Sequence, residues 1–360
     1  MVDPFNPVKP GTPISLGGYY PTPSVQTVQT DQFGVYGQDQ IKLPYDVHVT
    51  GGIRYQNYHQ NNISTVLGSP ASGFGQSQDA VTPRVGILWH PQRWVSLYAN
   101  YAESFGANNG LVYAGPGQAK GIAATSASQY EGGLKTEFFD GRLRGTLAYF
   151  DLTKTNIATA DTGLDPSTHL LHDCGSGPGS CSLAIGAVRS RGPELDIQGE
   201  LLPGWNAIAT YTNIDINVIK TNENNDSLNG INVGDRMFLV PRNTASFWTT
   251  YELLDTDYKG LKFGGGVTVR DGQMTNGGAD ASFALLPPAK IPGYATVGLM
   301  TAYSHAYGKS KVSIQLNINN LLDQRYYTSQ SILGNNPNEY GTTVNYGAPR
   351  TFIGSIRVEF

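Results

Sequence analysis

The sequence lacks several features of soluble and helical proteins. It has no run of 18 or more apolar residues in 360, so no transmembrane helix is predicted. Only 14% of the residues are charged, below the quarter or so typical of soluble domains, and methionine (4) and cysteine (2) are scarce. The formal net charge is −4 without a basic stripe, which argues against a nucleic-acid partner.

Motifs of enzyme active sites are missing as well. There is no nucleophile elbow of the G-x-S-x-G type and no glycine-rich phosphate loop followed by Lys-Ser or Lys-Thr. Glu194, Asp196 and Glu200 share one face of a predicted strand, and we interpret them as a polar row lining a lumen. The sequence therefore predicts no catalytic residue, no enzymatic activity and no cofactor.

What is abundant favours strands and turns. The chain has 44 glycines and 21 tyrosines, and period-2 segments recur along it without a long helical period. We predict about 13 strands. Their approximate ranges are 31–43, 46–60, 81–91, 94–105, 128–139, 142–158, 185–202, 205–218, 239–252, 260–271, 292–305, 309–322 and 348–360. The triplet GGG at 264–266 lies inside one of them, where glycine permits a bend or a close approach of another group.

The alternation of apolar and polar residues along the strands is compatible with two fold classes. In KVSIQLNINN, Val312, Ile314 and Leu316 share one face, and polar residues share the other. A soluble β-sandwich and a transmembrane β-barrel both produce this pattern.

Connection lengths favour the barrel. Short links such as Asp140-Gly141 and Pro203-Gly204 alternate with long ones near 61–80, 106–127, 159–184, 219–238, 272–291 and 323–347. Short turns at one end and long loops at the other are typical of transmembrane barrels, as are strands of about ten residues. The expected organisation is an external loop over residues 1–30 and an all-β, antiparallel barrel wall over 31–360.

The two cysteines fall in a predicted long loop. Cys174 and Cys181 are separated by GSGPGS, and His169 and His172 precede them. Zinc sites favour closer cysteine spacing and four ligands, whereas paired cysteines in an exported protein usually form a disulfide. We predict a Cys174–Cys181 disulfide and no metal site.

Aromatic residues are the candidate ligand groups, because tyrosine combines apolar area with a polar tip. Those in predicted external loops or strand ends are Tyr19, Tyr20, Tyr113, Tyr340 and Tyr346. The alternative interpretation is an interfacial aromatic girdle. Trp89, Trp94 and Tyr98 are assigned to the girdle on the short-turn side.

Several segments resemble TonB-dependent receptors, particularly ferric-hydroxamate-type siderophore receptors. These segments include TDQFGVYGQDQIKL (30–43), VTPRVGILWHP (81–91) with WVSLYANYAESF (94–105), and the hairpin SQYEGGLKTEFFDGRLRGTLAYFDLTKTNI (128–157). RSRGPELDIQGELLPGWNAIATYT (189–212) and VPRNTASFWTTYEL (240–253) continue the similarity. NINNLLDQRYY (317–327), followed by a terminal strand ending in phenylalanine, is the most specific pair.

The resemblance implies a 22-stranded barrel with an N-terminal plug, of which this chain would supply about 13 C-terminal strands without the plug. It further implies an outer-membrane location in contact with lipid, ferric siderophore as the transported ligand, and coupling to TonB through the plug. Phe352, Ile356, Val358 and Phe360 would form the signal read by the barrel-assembly machinery. The N-terminal segment, MVDPFNPVKPGTPISLGGYYPTPS, does not resemble a signal peptide, so we expect the start of the receptor to lie upstream.

Three alternatives remain open from the sequence. A passive porin would need no plug, and a soluble all-β binding module or enzyme domain would need no membrane. A remnant of a split receptor gene would share the kinship without the activity.

Overall fold

A computed structural model describes residues 24–66, 72–108, 110–115, 118–161, 172–174, 181–221, 232–275, 278–279, 285–286, 290–333 and 341–360. Within these ranges the chain forms strands and one short 3₁₀ turn, Pro44–Asp46. No helix in the described part of the chain has the length and apolar character needed to cross a membrane.

The strands follow one another as a long antiparallel meander. The first eleven are β1 (Ser24–Leu43), β2 (Val47–Val66), β3 (Ser72–Gln92), β4 (Val95–Gly106), β5 (Leu111–Gly115), β6 (Gln118–Gly121), β7 (Thr125–Phe138), β8 (Leu143–Ala160), β9 (Ser182–Leu202), β10 (Trp205–Asn213) and β11 (Asp215–Lys220). The others are β12 (Asn243–Glu252), β13 (Leu261–Arg270), β14 (Gln273–Met274), β15 (Gly278–Ala279), β16 (Leu285–Leu286), β17 (Lys290–Ile291), β18 (Tyr294–Tyr307), β19 (Ser310–Asn319), β20 (Tyr327–Leu333), β21 (Gly341–Tyr346) and β22 (Thr351–Glu359).

Thirteen strands form the main path of one sheet, in the order β1-β2-β3-β4-β7-β8-β9-β10-β12-β13-β18-β19-β22. The predicted all-β, antiparallel architecture is confirmed. Among the described residues β1 pairs only with β2, and β22 pairs only with β19, so no pairing between the two edge strands closes the sheet.

Several boundaries differ from the predicted ones. Strand β1 begins at Ser24 rather than near residue 31, and residues 1–23 lie outside the described ranges. The predicted strand over 205–218 is divided at Ile214, whose amide donates to the Arg242 carbonyl oxygen (2.8 Å). The part beyond the break, β11, pairs with β9 and lies off the main path. The predicted long loop over 61–80 is mostly strand, because β2 continues to Val66 and β3 begins at Ser72. Other segments predicted as loops contain small hairpins, β5–β6 and β20–β21 among them.

The two faces of the sheet have opposite chemistry. The register of neighbouring strands places apolar residues opposite one another, as in the pairs Leu97–Leu134 and Ile314–Ile356. We call the face of the sheet that these residues share the apolar face. Its large side chains are exposed: Ile53, Val85, Ile87, Leu147, Phe263, Ile314 and Leu316. The opposite, polar face carries residues such as Gln315 and Asn317, which are half-buried. A soluble sandwich would bury the apolar face, so this arrangement suits a wall whose apolar side meets lipid.

Aromatic residues border the apolar face at both ends. Trp89, Trp205, Tyr251 and Tyr303 lie towards the short turns, and Tyr101, Tyr130, Tyr149 and Tyr211 lie towards the long connections. The turns that join β1–β2, β3–β4, β7–β8, β9–β10, β12–β13 and β18–β19 fall at one end, which we call the short-turn end; the opposite end, where the long connections lie, is the long-loop end. Two aromatic bands flanking an aliphatic belt are the arrangement of transmembrane barrels.

Candidate ligand site at the long-loop end

The β5–β6 hairpin forms a packed platform with the segment that follows β8. The Tyr113 ring on β5 stacks on His172 with 4.0 Å between ring centroids and an interplanar angle of 5°. Asp161 Oδ2 lies 2.9 Å from His172 Nδ1, and both side chains are buried. Of the predicted ligand tyrosines, Tyr113 is therefore held in a fixed orientation at the long-loop end.

A disulfide joins Cys174 to Cys181, with 5.1 Å between the Cα atoms. Both cysteines are buried, and the Asp161 amide donates to the Cys181 carbonyl oxygen (3.1 Å). The bridge thus ties the segment carrying His172 to the start of β9. His169 lies outside the described residues, and the described part of the chain contains no group of three potential metal ligands.

Breaking this disulfide should loosen the platform without unfolding the wall. In the loop-entropy account, closing a loop of about eight residues contributes about 2.5 kcal/mol. We expect the double variant Cys174→Ser/Cys181→Ser to be cleaved faster by external protease near the platform while its thermal unfolding temperature changes little. Mass spectrometry that finds two free thiols in exported wild-type protein would contradict the bridge.

Side-chain amides fix the strand ends near the platform. Asn108 Nδ2 donates to the Asn156 carbonyl oxygen (2.6 Å), and Asn156 Nδ2 donates to the Ala124 carbonyl oxygen (2.9 Å). Gln78 Oε1 accepts the Ala124 amide (2.6 Å). The sequence analysis did not identify these residues, because the position of a side-chain amide in the sequence does not show which distant backbone group it bonds.

The polar face carries an acidic group near the middle of the wall. Tyr98 Oη donates to Glu131 Oε1 (2.7 Å), and Lys135 Nζ lies 4.9 Å from the centre of the Tyr98 ring. The assignment of Tyr98 to the girdle is therefore wrong: its place in the register puts it on the polar face. Trp89 does lie on the apolar face, and Trp94 stacks on Phe138 with 5.6 Å between centroids.

The three acidic residues predicted to form a row on β9 lie in two different environments. Glu200 lies 3.6 Å from Arg142 and accepts the Gly204 amide (2.9 Å), so it stabilises the turn to β10. Glu194 and Asp196 line an open cleft with Glu131, and within the described ranges neither has an ion-pair partner. These two carboxylates are therefore directed towards the space on the polar side of the wall.

A second aromatic group lies on the polar face, around Trp248. An added Cβ at Gly266 would lie 2.5 Å from Trp248 Cε3, and one at Gly298 would lie 3.1 Å from Cζ3. The indole therefore covers both glycines, which gives a concrete reason for the third glycine of the 264–266 triplet. Trp248 and Tyr326 line one cleft, which we call the Trp248 cleft. Tyr326 also stacks on Tyr294 with 4.1 Å between the ring centroids.

The NINNLLDQRYY segment owes its conformation to one buried amide. Asn320 has φ 51°, and its Oδ1 accepts the Gln324 amide (2.9 Å). Its Nδ2 donates to the Gln324 and Ala348 carbonyl oxygens at 2.9 and 3.0 Å. This side chain links the end of β19 to the approach to β22, which positions Tyr326 beside the Trp248 cleft.

Gly266→Ala should displace the Trp248 ring. The new methyl group would overlap the indole and the Phe247 carbonyl oxygen, and overpacking of this kind costs about 1–3 kcal/mol. We expect a lower thermal unfolding temperature and a shifted tryptophan emission. Gly51→Ala on β2 is the matched control, since an added Cβ there meets nothing within 4 Å. Equal effects from both substitutions would contradict this role of Gly266.

The other predicted site residues are placed as follows. Tyr346 is the last residue of β21 and packs against Tyr327 with 5.2 Å between ring centroids. It belongs to a different loop of the chain from Tyr113. Tyr19, Tyr20 and Tyr340 lie outside the described residues. Phe352, Ile356 and Val358 lie on the apolar face of β22, paired with β19, and Phe360 at the chain end is 99% exposed.

Comparison with known proteins identifies the class. Residues 2–321 match the family model of the TonB dependent receptor-like β-barrel. The chain therefore belongs to the TonB-dependent receptor-like β-barrel family. An all-β sheet with an exposed apolar face and long connections at one end fits the wall of a transmembrane β-barrel.

Among similar proteins, the metal-pseudopaline receptor CntO of Pseudomonas aeruginosa is 32% identical over 302 residues, 83% of this chain and 38% of the relative. The ferrioxamine B receptor of Salmonella typhimurium is 26% identical over 365 residues, 100% of this chain and 44% of the relative. The chain thus spans less than half the length of these relatives.

Solved structures show the same fold. The siderophore receptor PiuA of Acinetobacter baumannii superposes with a TM-score of 0.65 at 23% identity, covering 92% of this chain and 43% of that one. The outer-membrane ferripyoverdine receptor of Pseudomonas aeruginosa, bound to ferripyoverdine, gives 0.64 at 24% identity, covering 91% and 38%. The named relatives are receptors for different ligands, so the hydroxamate type stays a prediction.

Proposed function

We propose that this chain forms the C-terminal part of the barrel wall of an outer-membrane receptor that takes up ferric siderophores. The observation that carries the proposal is the inverted sheet: an exposed apolar face bordered by two aromatic bands, with every long connection at one end. The family match and the siderophore receptors among its relatives support the same conclusion. The wall would cover residues 31–360 together with the first residues of β1, 24–30, and residues 1–23 would belong to the external loop predicted for residues 1–30.

The long-loop end is the proposed ligand side. Tyr113, held by His172 and the disulfide, and Tyr346, packed on Tyr327, offer aromatic surface with polar tips. Tyr19, Tyr20 and Tyr340 belong to the same proposal from their sequence positions. Such residues suit a ferric siderophore, which is a bulky ligand with apolar and polar parts.

Energy coupling would come from partners. We propose that a plug domain fills the space on the polar side, where Glu194 and Asp196 face an open cleft, and that TonB acts through it. The barrel-assembly machinery would insert the protein into the membrane and read the terminal strand. No cofactor and no catalytic residue is proposed; the ferric siderophore is cargo.

Growth on limiting iron tests this function. A strain lacking the gene should lose growth on at least one ferric siderophore from a panel of hydroxamate, catecholate and mixed types, and the restored gene should recover it. Loss of TonB should abolish the same uptake. Uptake that persists without TonB would favour a passive porin, and loss of growth on none of the siderophores would overturn the proposal.

Point variants test the ligand side. Tyr113→Ala should weaken siderophore binding about tenfold, as expected for an aromatic anchor. Tyr258→Ala is the control, since Tyr258 is an exposed tyrosine in a short turn at the opposite end. Unchanged binding by Tyr113→Ala would remove Tyr113 from the site while leaving the transport proposal intact.

A further inference from the structure

A group of arginines lies on the apolar face just beyond the aromatic band of the long-loop end. We call Arg189, Arg191, Arg236 and Arg242, with Asp151 and Asp215 between them, the arginine cluster. Arg189 donates two hydrogen bonds to Asp151: its Nε donates to Oδ1 (2.8 Å), and one terminal nitrogen donates to Oδ2. The other three arginines surround Asp215, at 3.5, 3.7 and 3.1 Å for Arg191, Arg236 and Arg242.

Register places the cluster on the side of the wall that faces lipid. Arg191 is paired with Asp151 on β8 and with Asp215 on β11, so the three side chains share a face. Asp151 is two residues beyond Tyr149 and opposite Tyr130, which belong to the aromatic band on the apolar face. Tyr211 of the same band donates its hydroxyl to Asn243 Oδ1 (2.8 Å), next to Arg242. The aromatic band therefore ends where the cluster begins.

The cluster has more positive than negative charge. Hydrogen bonding from the Asn217 side chain, followed by Arg242 and Arg191, holds the pKa of Asp215 below its usual range, so this carboxylate is ionised at neutral pH. Counting Asp271, which Asn243 binds at the edge of the group, four arginines face three carboxylates. On β1, β3 and β4 the corresponding positions of the same face carry acidic residues, Asp31, Asp79 and Glu103.

Guanidinium donors remain available for a further ligand. Arg191 and Arg242 each reach Asp215 through a single terminal nitrogen, whereas a guanidinium has five N–H donors. The side chains of Arg189, Arg191 and Arg242 are 44%, 45% and 58% exposed. Planar guanidinium groups match phosphate oxygens in charge and geometry.

We propose that the arginine cluster binds phosphate groups in the headgroups of the lipid leaflet at the long-loop end. The occupant follows from position and charge: the cluster lies at headgroup depth above an aromatic band and presents donors sideways, towards lipid rather than towards the polar side. Basic groups just outside the apolar belt recognise anionic headgroups in this way. The inference rests on the proposed function for the orientation of the wall in the outer membrane.

Native mass spectrometry of the receptor containing this chain, purified from outer membranes in detergent, tests the site. The probes are dioleoyl phosphatidic acid, which carries a phosphate monoester, and dioleoyl phosphatidylcholine. Wild-type protein should retain phosphatidic acid in preference to phosphatidylcholine. Arg189→Gln/Arg242→Gln should reduce that preference on the order of tenfold, and Arg189→Lys/Arg242→Lys should restore part of it.

Arg142→Gln/Arg144→Gln is the matched control. These arginines also pair with carboxylates, Glu200 at 3.6 Å and Glu137 at 3.4 Å, and are 48% and 63% exposed, but they lie at the short-turn end. The control should keep the wild-type preference. An unchanged preference in the cluster variant, or an equal loss in the control, overturns the proposal.

Failure of this proposal can be distinguished from failure of the proposed function. Siderophore-dependent growth should be retained by the cluster variant, since the arginines face away from the polar side. Wild-type protein that reaches the outer membrane and supports growth, but shows no phosphatidic acid preference, overturns the lipid site alone. Wild-type protein absent from the outer membrane overturns both.

Discussion

Cells that express only these 360 residues behind an added signal peptide should show no siderophore-dependent iron uptake. Among the described residues β1 and β22 are the edges of the sheet, and neither has a second neighbour on the main path. Each unpaired backbone group in lipid costs several kcal/mol. Strand β22 spans Thr351–Glu359, so one open edge carries enough such groups to exceed the roughly 5–15 kcal/mol by which domains are stable.

Uptake of radiolabelled iron measures this outcome, and resistance of the membrane fraction to denaturation in detergent measures the fold. A full-length relative, such as the ferrioxamine B receptor, expressed from the same plasmid is the positive control. Uptake by the 360-residue chain alone would show that its edges close, either on each other or between copies, and would make this chain sufficient for transport.

Deletion of Phe360 in the complete receptor should lower the outer-membrane yield severalfold. Phe360 is 99% exposed beyond the end of β22, so the structure gives it no packing to lose. Its deletion should therefore cost little folding stability, and a fall in yield would report recognition by the assembly machinery. Phe352, Ile356 and Val358 on the apolar face of the same strand complete the proposed signal.

Glu359→Gln is the control, because it alters the neighbouring residue without removing the terminal aromatic. Immunoblots of outer-membrane and periplasmic fractions would separate failed assembly from failed synthesis. Equal yields from the two variants would remove Phe360 from the signal.

Most strands of the wall could be predicted from the sequence because the signals that define a strand and a turn lie within a few neighbouring residues. Alternation on β19 and short turns such as Asp140-Gly141 fix which residues share a face and where the chain reverses. The split between β10 and β11 was missed because it depends on a distant partner. Ile214 leaves the ladder to donate to the Arg242 carbonyl oxygen, and nothing near Ile214 in the sequence signals this.

The candidate site was less accessible from sequence. Tyr113 was identified as an external aromatic, but its partner His172 was considered only as a metal ligand. Trp248 could have been found, because it lies at a polar-face position of an alternating strand near the 264–266 glycines. Tyr98 was assigned to the girdle by its aromatic character, although its position in the alternation places it with Asn100 on the polar face.

The sequence by itself determined the class of fold, the two chemically opposed faces and the end that carries the long loops, because period-2 alternation and turn residues act over a few neighbours. Only the tertiary structure decided what meets across strands. Stacking of Tyr113 on His172, the cover of Trp248 over Gly266 and Gly298, and the arginines around Asp215 each join segments far apart in the chain. Such contacts depend on how each strand is aligned with its neighbours across the sheet, and a local sequence pattern does not specify that alignment.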